Sequence, residues 1–164
     1  MTKTTEQPTT TCQICGRPIK ANSGLIAHHG YKRPAHQGWQ TKSCFGARNL
    51  PYEVSCDVIP VAIESAKAFI TRSESAIQNL MDNPPEELEY VWSRGRRMET
   101  IKATRPVDFD SHKDYYYPRS TSYEYMFERR IAELKISIAQ AREDVAYLET
   151  RLARWVAPEG LVTK

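Results

Sequence analysis

Cys12-Gln13-Ile14-Cys15-Gly16 constrains this chain more than any other stretch. A Cys-x2-Cys turn points two sulfurs at one spot, and the glycine after the second sulfur lets the turn close tightly. Two more cysteines, Cys44 and Cys56, follow, and three histidines, His28, His29 and His36, lie before Cys44. Zinc takes four tetrahedral ligands from thiolate and imidazole, and this segment supplies both. Gly16, Pro18, Gly24, Gly30, Pro34, Gly38, Gly46 and Pro51 cut residues 12–52 into short pieces. A stretch of about 40 residues with few large apolar groups needs a staple to fold. A structural Zn2+ is the expected staple.

Cys12 and Cys15 are the first two ligands in this reading. Cys44, in Lys42-Ser43-Cys44-Phe45-Gly46, is the third. His29 is the fourth, at the end of the strand candidate Leu25–His29 and before Gly30. Neighbours on a strand face opposite sides, so only one of His28 and His29 is expected to bind. His28 and His36 stay open as replacements for His29, and Cys56 reads either as a ligand or as a buried thiol. No Asp or Glu lies between Glu6 and Glu53, so a catalytic zinc lacks its acid or base. The His-Glu-x-x-His and zinc-deaminase patterns are absent. The chain is therefore expected not to be an enzyme.

The Cys12, Cys15 and Gly16 knuckle resembles that of treble-clef and zinc-ribbon fingers. Those families complete the site with a second Cys-x2-Cys or its His equivalent, which this sequence does not have at standard spacing.

Charge is distributed unevenly. The net charge is +3, yet residues 12–52 carry Arg17, Lys20, Lys32, Arg33, Lys42 and Arg48 with no acid. A wholly basic finger attracts polyanions. Those six side chains are the expected phosphate contacts. Trp39 and Phe45 read either as stacking rings beside them or as the finger's miniature core.

After the finger come two heptad stripes. Ile59, Ile63, Ala66, Ile70, Ser73, Ile77 and Leu80 form the first. The second is Tyr123, Phe127, Ile131, Leu134, Ile138, Ala141, Val145, Leu148, Leu152 and Trp155. A 3.5-residue repeat keeps one stripe facing a partner helix. Asp57 is the expected cap of the first helix, Asn83-Pro84-Pro85 its stop, and Thr121 with Glu124 a capping box for the second. Between them, Leu88–Trp92 and Met98–Ala103 read as a β-hairpin around Ser93-Arg94-Gly95-Arg96. The irregular run from Pro106 and its tyrosines should pack on Tyr123 and Phe127.

The expected fold is mainly α: an N-terminal zinc finger, then a long antiparallel coiled-coil hairpin with a small β-hairpin insert at its tip. Its expected parts are a disordered tail (1–11), the basic finger (12–52), the first helix (53–83), the insert (84–121), the second helix (122–157) and a tail (158–164). The same heptads can also zip in trans as a homodimer.

The expected function is a non-enzymatic, zinc-stabilised binding protein whose finger contacts nucleic acid or a nucleic-acid-bound complex. The alternative is a protein-binding adaptor or inhibitor acting through the hairpin tip, with Trp92, Arg94, Arg96 and Arg97 as partner contacts. A finger joined to a helical hairpin is similar in architecture to some small regulators of RNA polymerase. A zinc-dependent hydrolase or nuclease is the third reading. The polar Met1–Thr11 stretch lacks the pattern of a secretory signal, and no run is apolar enough to span a membrane, so the expected location is cytoplasmic.

Overall fold

The structure is a computed structural model that describes residues 9–33, 41–94, 97–115 and 121–158. His36 and Trp39 lie outside the described residues, as does Arg96. Two compact units are present: residues 1–67 with 142–164, and residues 68–141. Among the described residues no helix is long and apolar enough to cross a membrane.

The first unit combines short strands with the start of one helix and the end of another. Strands β1 (Thr9–Thr11), β2 (Pro18–Asn22) and β3 (Leu25–Ile26) form a three-stranded antiparallel sheet. Thr9–Thr11, read from sequence as the end of a disordered tail, pairs with β2, Thr10 lying opposite Ile19. Both carboxylate oxygens of Glu53 accept from the Thr11 amide, at 2.9 and 3.0 Å. Strands β4 (Gly30–Tyr31) and β5 (Thr41–Ser43) form a second antiparallel pair. The strand anticipated over Leu25–His29 stops at Ile26, whose amide bonds to the Asn49 carbonyl and whose carbonyl accepts from the Arg48 amide. That detour frees His29 from a strand register.

Helix α1 runs Val58–Asp82 and α2 runs Tyr123–Arg154. Pro60 sits in the first turn of α1, where a missing N–H costs nothing, and the helix ends ahead of Asn83-Pro84. The N-terminus of α2 is capped by Ser122 rather than by Thr121, the Ser122 hydroxyl accepting from the Tyr125 amide at 3.2 Å.

In the second unit, strands β6 (Glu87–Arg94) and β7 (Arg97–Thr104) form an antiparallel hairpin in which Leu88 faces Ala103 and Tyr90 faces Ile101. Leu88, Tyr123, Met126, Phe127 and Ile131 make the buried core, with Ile77, Leu80, Met81, Tyr90, Ile101, Ala103 and Phe109 packed around it. Phe109 stands edge-on to Tyr123 at 4.9 Å and to Phe127 at 5.0 Å, geometry that aromatic quadrupoles favour. The Tyr123 hydroxyl donates to the Pro85 carbonyl, so its buried polar end is satisfied. Across the hairpin, Val91 and Met98 remain 50% and 76% exposed.

The expectation of a mainly-α fold on a long coiled-coil hairpin is overturned. Among the described residues, two helices stand beside seven strands in three antiparallel sheets. The physical reason lies in what a heptad repeat reports. Every position of both stripes is buried or half-buried, so the repeat located the covered face of each helix correctly. It did not say what covers that face. In the second unit Leu88, Tyr90, Ile101, Ala103 and Phe109, all from non-helical segments, share the core of the stripes.

Removing the Phe127 ring, which is 2% exposed, leaves a cavity in this core. Phe127→Ala should therefore lower stability by about 3–5 kcal/mol in urea unfolding. A loss below about 1 kcal/mol would contradict the packing described.

Candidate metal centre

Cys12, Cys15, His29 and Cys44 come together, with all four donor atoms within 4.8 Å of one another. The three sulfurs are 3% exposed or less. Cys12 Sγ lies 3.8 Å from Cys44 Sγ, and Cys15 Sγ lies 3.4 Å from His29 Nε2. Tetrahedral zinc, with bonds of ~2.3 Å to sulfur and ~2.0 Å to nitrogen, requires edges of about 3.8 Å between sulfurs and about 3.5 Å between sulfur and nitrogen. The donor set and its spacing fit that ion.

Each ligand is positioned by local backbone. The Gly16 amide bonds to the Cys12 carbonyl at 3.1 Å and the Cys12 amide to the Arg17 carbonyl at 3.0 Å, closing the first knuckle. Gly16 has φ +67°, and a Cβ there would lie 2.2 Å from the Tyr147 hydroxyl, so this position requires glycine. Cys44 sits on a second turn, with the Ala47 amide on the Cys44 carbonyl at 3.0 Å. A Cβ on Gly46 would meet Cys12 Sγ at 2.4 Å, so the two knuckles close against each other only because Gly46 has no side chain. The Cys44 amide donates to the His29 carbonyl at 2.9 Å, which ties the second knuckle to the histidine.

His29 Nδ1 lies 2.8 Å from the Ala27 carbonyl. A carbonyl can only accept, so Nδ1 carries the proton and Nε2 presents its lone pair to the sulfurs. This is the orienting bond that a metal-binding imidazole needs. His28 is exposed, with Nε2 3.0 Å from Ser43 Oγ, and stands outside the cluster. Cys56 is half-buried and also outside it.

The sulfurs compete for negative charge. The side chains of Cys12 and Cys44 hold Cys15 far below the ordinary thiol range, helped by the backbone and side chain of Arg17. Cys12 is pushed up, chiefly by Cys15 and also by burial, against the pull of the Cys44 side chain and of the Cys15 and Ile14 amides. Cys44 is pushed up by Cys12 and Cys15 and by burial, against the Gly46 amide. Backbone amides thus point at all three sulfurs, while their proximity opposes full ionisation. A dication at the centre would remove that opposition and release the remaining thiol protons.

The knuckle also anchors both helices. Gln13, between the two cysteines, is fully buried. Its amide group donates to the Leu50 carbonyl at 2.9 Å and to Asp57 at 3.0 Å. Its oxygen accepts from the Val58 amide at 3.1 Å, one of the N–H groups that the start of α1 leaves unpaired. Asp57, expected as the cap, instead accepts from Gln13 and, at 2.6 Å, from the Ser55 hydroxyl. From the end of α2, Arg151 donates to the carbonyls of Gln13 and Cys12 at 3.1 and 3.2 Å. Its guanidinium lies over the Tyr52 ring, 3.9 Å from the centroid. The Tyr52 hydroxyl satisfies the Arg151 carbonyl at 2.6 Å, and the Trp155 indole donates to the Tyr52 carbonyl at 2.7 Å. Sequence reasoning missed Gln13, Tyr52, Tyr147 and Arg151. The available signal was Tyr147 and Arg151 four residues apart beside the α2 stripe.

The basic residues of the finger divide into two groups. The Arg17 guanidinium donates to the Gly30 carbonyl beside the knuckle. Arg33 forms a two-pronged pair with Asp144 at 3.0 and 3.1 Å, and the Tyr31 hydroxyl donates to the same carboxylate. Lys20 and Arg48 are exposed and Lys32 is half-buried. The side chains of Lys42, Trp92, Arg94 and Arg97 lie outside the described residues.

No protein-family model matches the chain, and no curated protein or solved structure matches it either. The similarity to treble-clef and zinc-ribbon fingers stays with the knuckle, and the four-residue cluster is compatible with a zinc finger.

Gln13→Ala leaves the buried Val58 amide without its partner and removes the bond to the Leu50 carbonyl. It should cost about 1–3 kcal/mol in urea unfolding. Gln78→Ala, which removes one exposed contact to Asp82, should cost less than about 0.5 kcal/mol. Equal costs would contradict the anchoring role of Gln13.

Proposed function

We propose that this chain is a non-catalytic, zinc-stabilised binding protein whose N-terminal finger contacts nucleic acid. The observation that carries the reading is the closed donor set of Cys12, Cys15, His29 and Cys44. Four protein donors within 4.8 Å of one another are enough to complete a tetrahedral shell without substrate or activated water, which favours a structural over a catalytic ion.

Charge supports nucleic acid as the partner. Residues 12–52 contain no acid. Two of the six cations, Arg17 and Arg33, serve the fold through Gly30 and Asp144. Lys20, Lys32 and Arg48 remain as phosphate contacts within the described side chains, and Lys42 adds a fourth cation to the segment. Glu53 and Asp57, the first acids beyond it, are held below the usual carboxylate range. For Glu53, burial is outweighed by bonds from Thr11; for Asp57, bonds from Ser55 and Gln13 act first. Both engage internal donors.

Titration of the zinc-loaded protein into a labelled oligonucleotide, followed by anisotropy at rising salt, tests the reading. Three phosphate contacts should give a log–log slope of about −2 to −3. Absence of binding, or binding indifferent to salt, would refute nucleic acid as the partner.

A further inference from the structure

Phe45 directly follows the ligand Cys44, yet its ring is 56% exposed. It therefore contributes little to a finger core, although a domain so short of large apolar groups would gain from burying it. The second knuckle holds its backbone in place: Asn49 Nδ2 donates to the Phe45 carbonyl at 3.0 Å and to the Ala47 carbonyl at 3.1 Å. The ring is thus carried on a braced turn.

The same turn carries one exposed cation, and the strand pair beside it carries another. Arg48 is exposed and adopts φ +64°, a left-handed conformation that costs a non-glycine residue about 1 kcal/mol. Its amide and the Asn49 carbonyl bond to Ile26, placing this turn beside β3. Ala21 and Ile26 pair across β2 and β3, with Ile26 buried, so Lys20 and Leu25 share the opposite, outward face. Leu25 is 41% exposed there. Residues 12–52 contain no acid.

We infer that this face binds single-stranded nucleic acid, with Phe45 stacking on an unpaired base and Lys20 and Arg48 taking the flanking phosphates. The inference rests on the nucleic-acid reading above and specifies its form. A projecting ring finds a π-face only where bases are unstacked, whereas a duplex covers its bases. Reading a duplex through the major groove requires an inserted helix or a two-stranded ribbon. Among the described residues of the finger there is no helix, and Phe45 projects from a turn rather than from the β2–β3 or β4–β5 ribbon. Stacking and phosphate contact together tolerate many sequences, so the site selects strandedness more than sequence.

Anisotropy of the zinc-loaded full chain with a labelled 12-nucleotide DNA strand, and with its duplex, tests this. The single strand should bind more tightly. Phe45→Ala should weaken it by roughly 5- to 100-fold, since a stacked base contributes about 1–3 kcal/mol. Phe45→Trp should keep the affinity, and its new indole emission should change on binding. Phe45→Ala is expected to retain its metal and melting temperature, because the ring is exposed. If it does not, Phe45→Trp alone decides: indole emission that ignores bound DNA overturns the inference. Salt-sensitive binding with equal affinity for both forms and no loss in Phe45→Ala also overturns it, while leaving the nucleic-acid reading intact. Failure of the wild type to bind either form removes both.

Discussion

Everything in the first unit depends on bringing three buried sulfurs and one imidazole nitrogen within 4.8 Å of one another. Thiols gain little by gathering so closely through burial alone, since each is a small apolar group, and once ionised the thiolates repel. The backbone forces the arrangement instead. Two glycines, Gly16 and Gly46, let two knuckles close against each other, and the Ala27 carbonyl fixes the imidazole tautomer. Amides aimed at each sulfur favour the thiolate, while crowding lets Cys15 ionise and holds Cys12 and Cys44 up. A dication at the centre resolves that conflict, which is why the proposed zinc acts as part of the fold.

The finger supplies bonds that helix ends cannot make for themselves. An α-helix leaves N–H groups unpaired at its start and carbonyls unpaired at its end. Gln13 pairs the Val58 amide at the start of α1, and Tyr52 pairs the Arg151 carbonyl near the end of α2. Arg151 answers by binding the knuckle carbonyls of Cys12 and Gln13. Each interaction is modest alone, about 0.5–1.5 kcal/mol net for a neutral bond. Their effect is greater because they share residues: the Cys12–Gly16 turn makes the Gln13 and Arg151 side-chain bonds, and Arg151 also takes the bond from Tyr52. Holding the turn therefore holds both helix ends, and the finger and these helix ends form one cooperative structure.

The ligand set was legible because its chemistry is local. A Cys-x2-Cys-Gly turn declares itself in five residues and Cys44 sits between turn signals, whereas the sequence left His28 and His36 open beside His29. The covered stripes of both helices and the strands of the insert were also legible, since period 3.5 and period 2 report burial directly. What covers the stripes was not, because that depends on pairs far apart in sequence. Arg33 looked free to meet phosphate, as no acid lies near it, yet Asp144 reaches it from α2 across 111 positions. Gln13 looked like a filler between ligands, whereas its burial and three partners make it structural. Ser122 displaced Thr121 as the cap of α2, a shift of one residue that neither side chain's chemistry could decide.

Zinc K-edge X-ray absorption on the metal-loaded wild type tests the central claim most directly, because it counts the ligands. The account requires a closed shell of three sulfurs at about 2.3 Å and one imidazole nitrogen at about 2.0 Å. A shell with two sulfurs, a coordinated water oxygen, or no tightly bound zinc would contradict it.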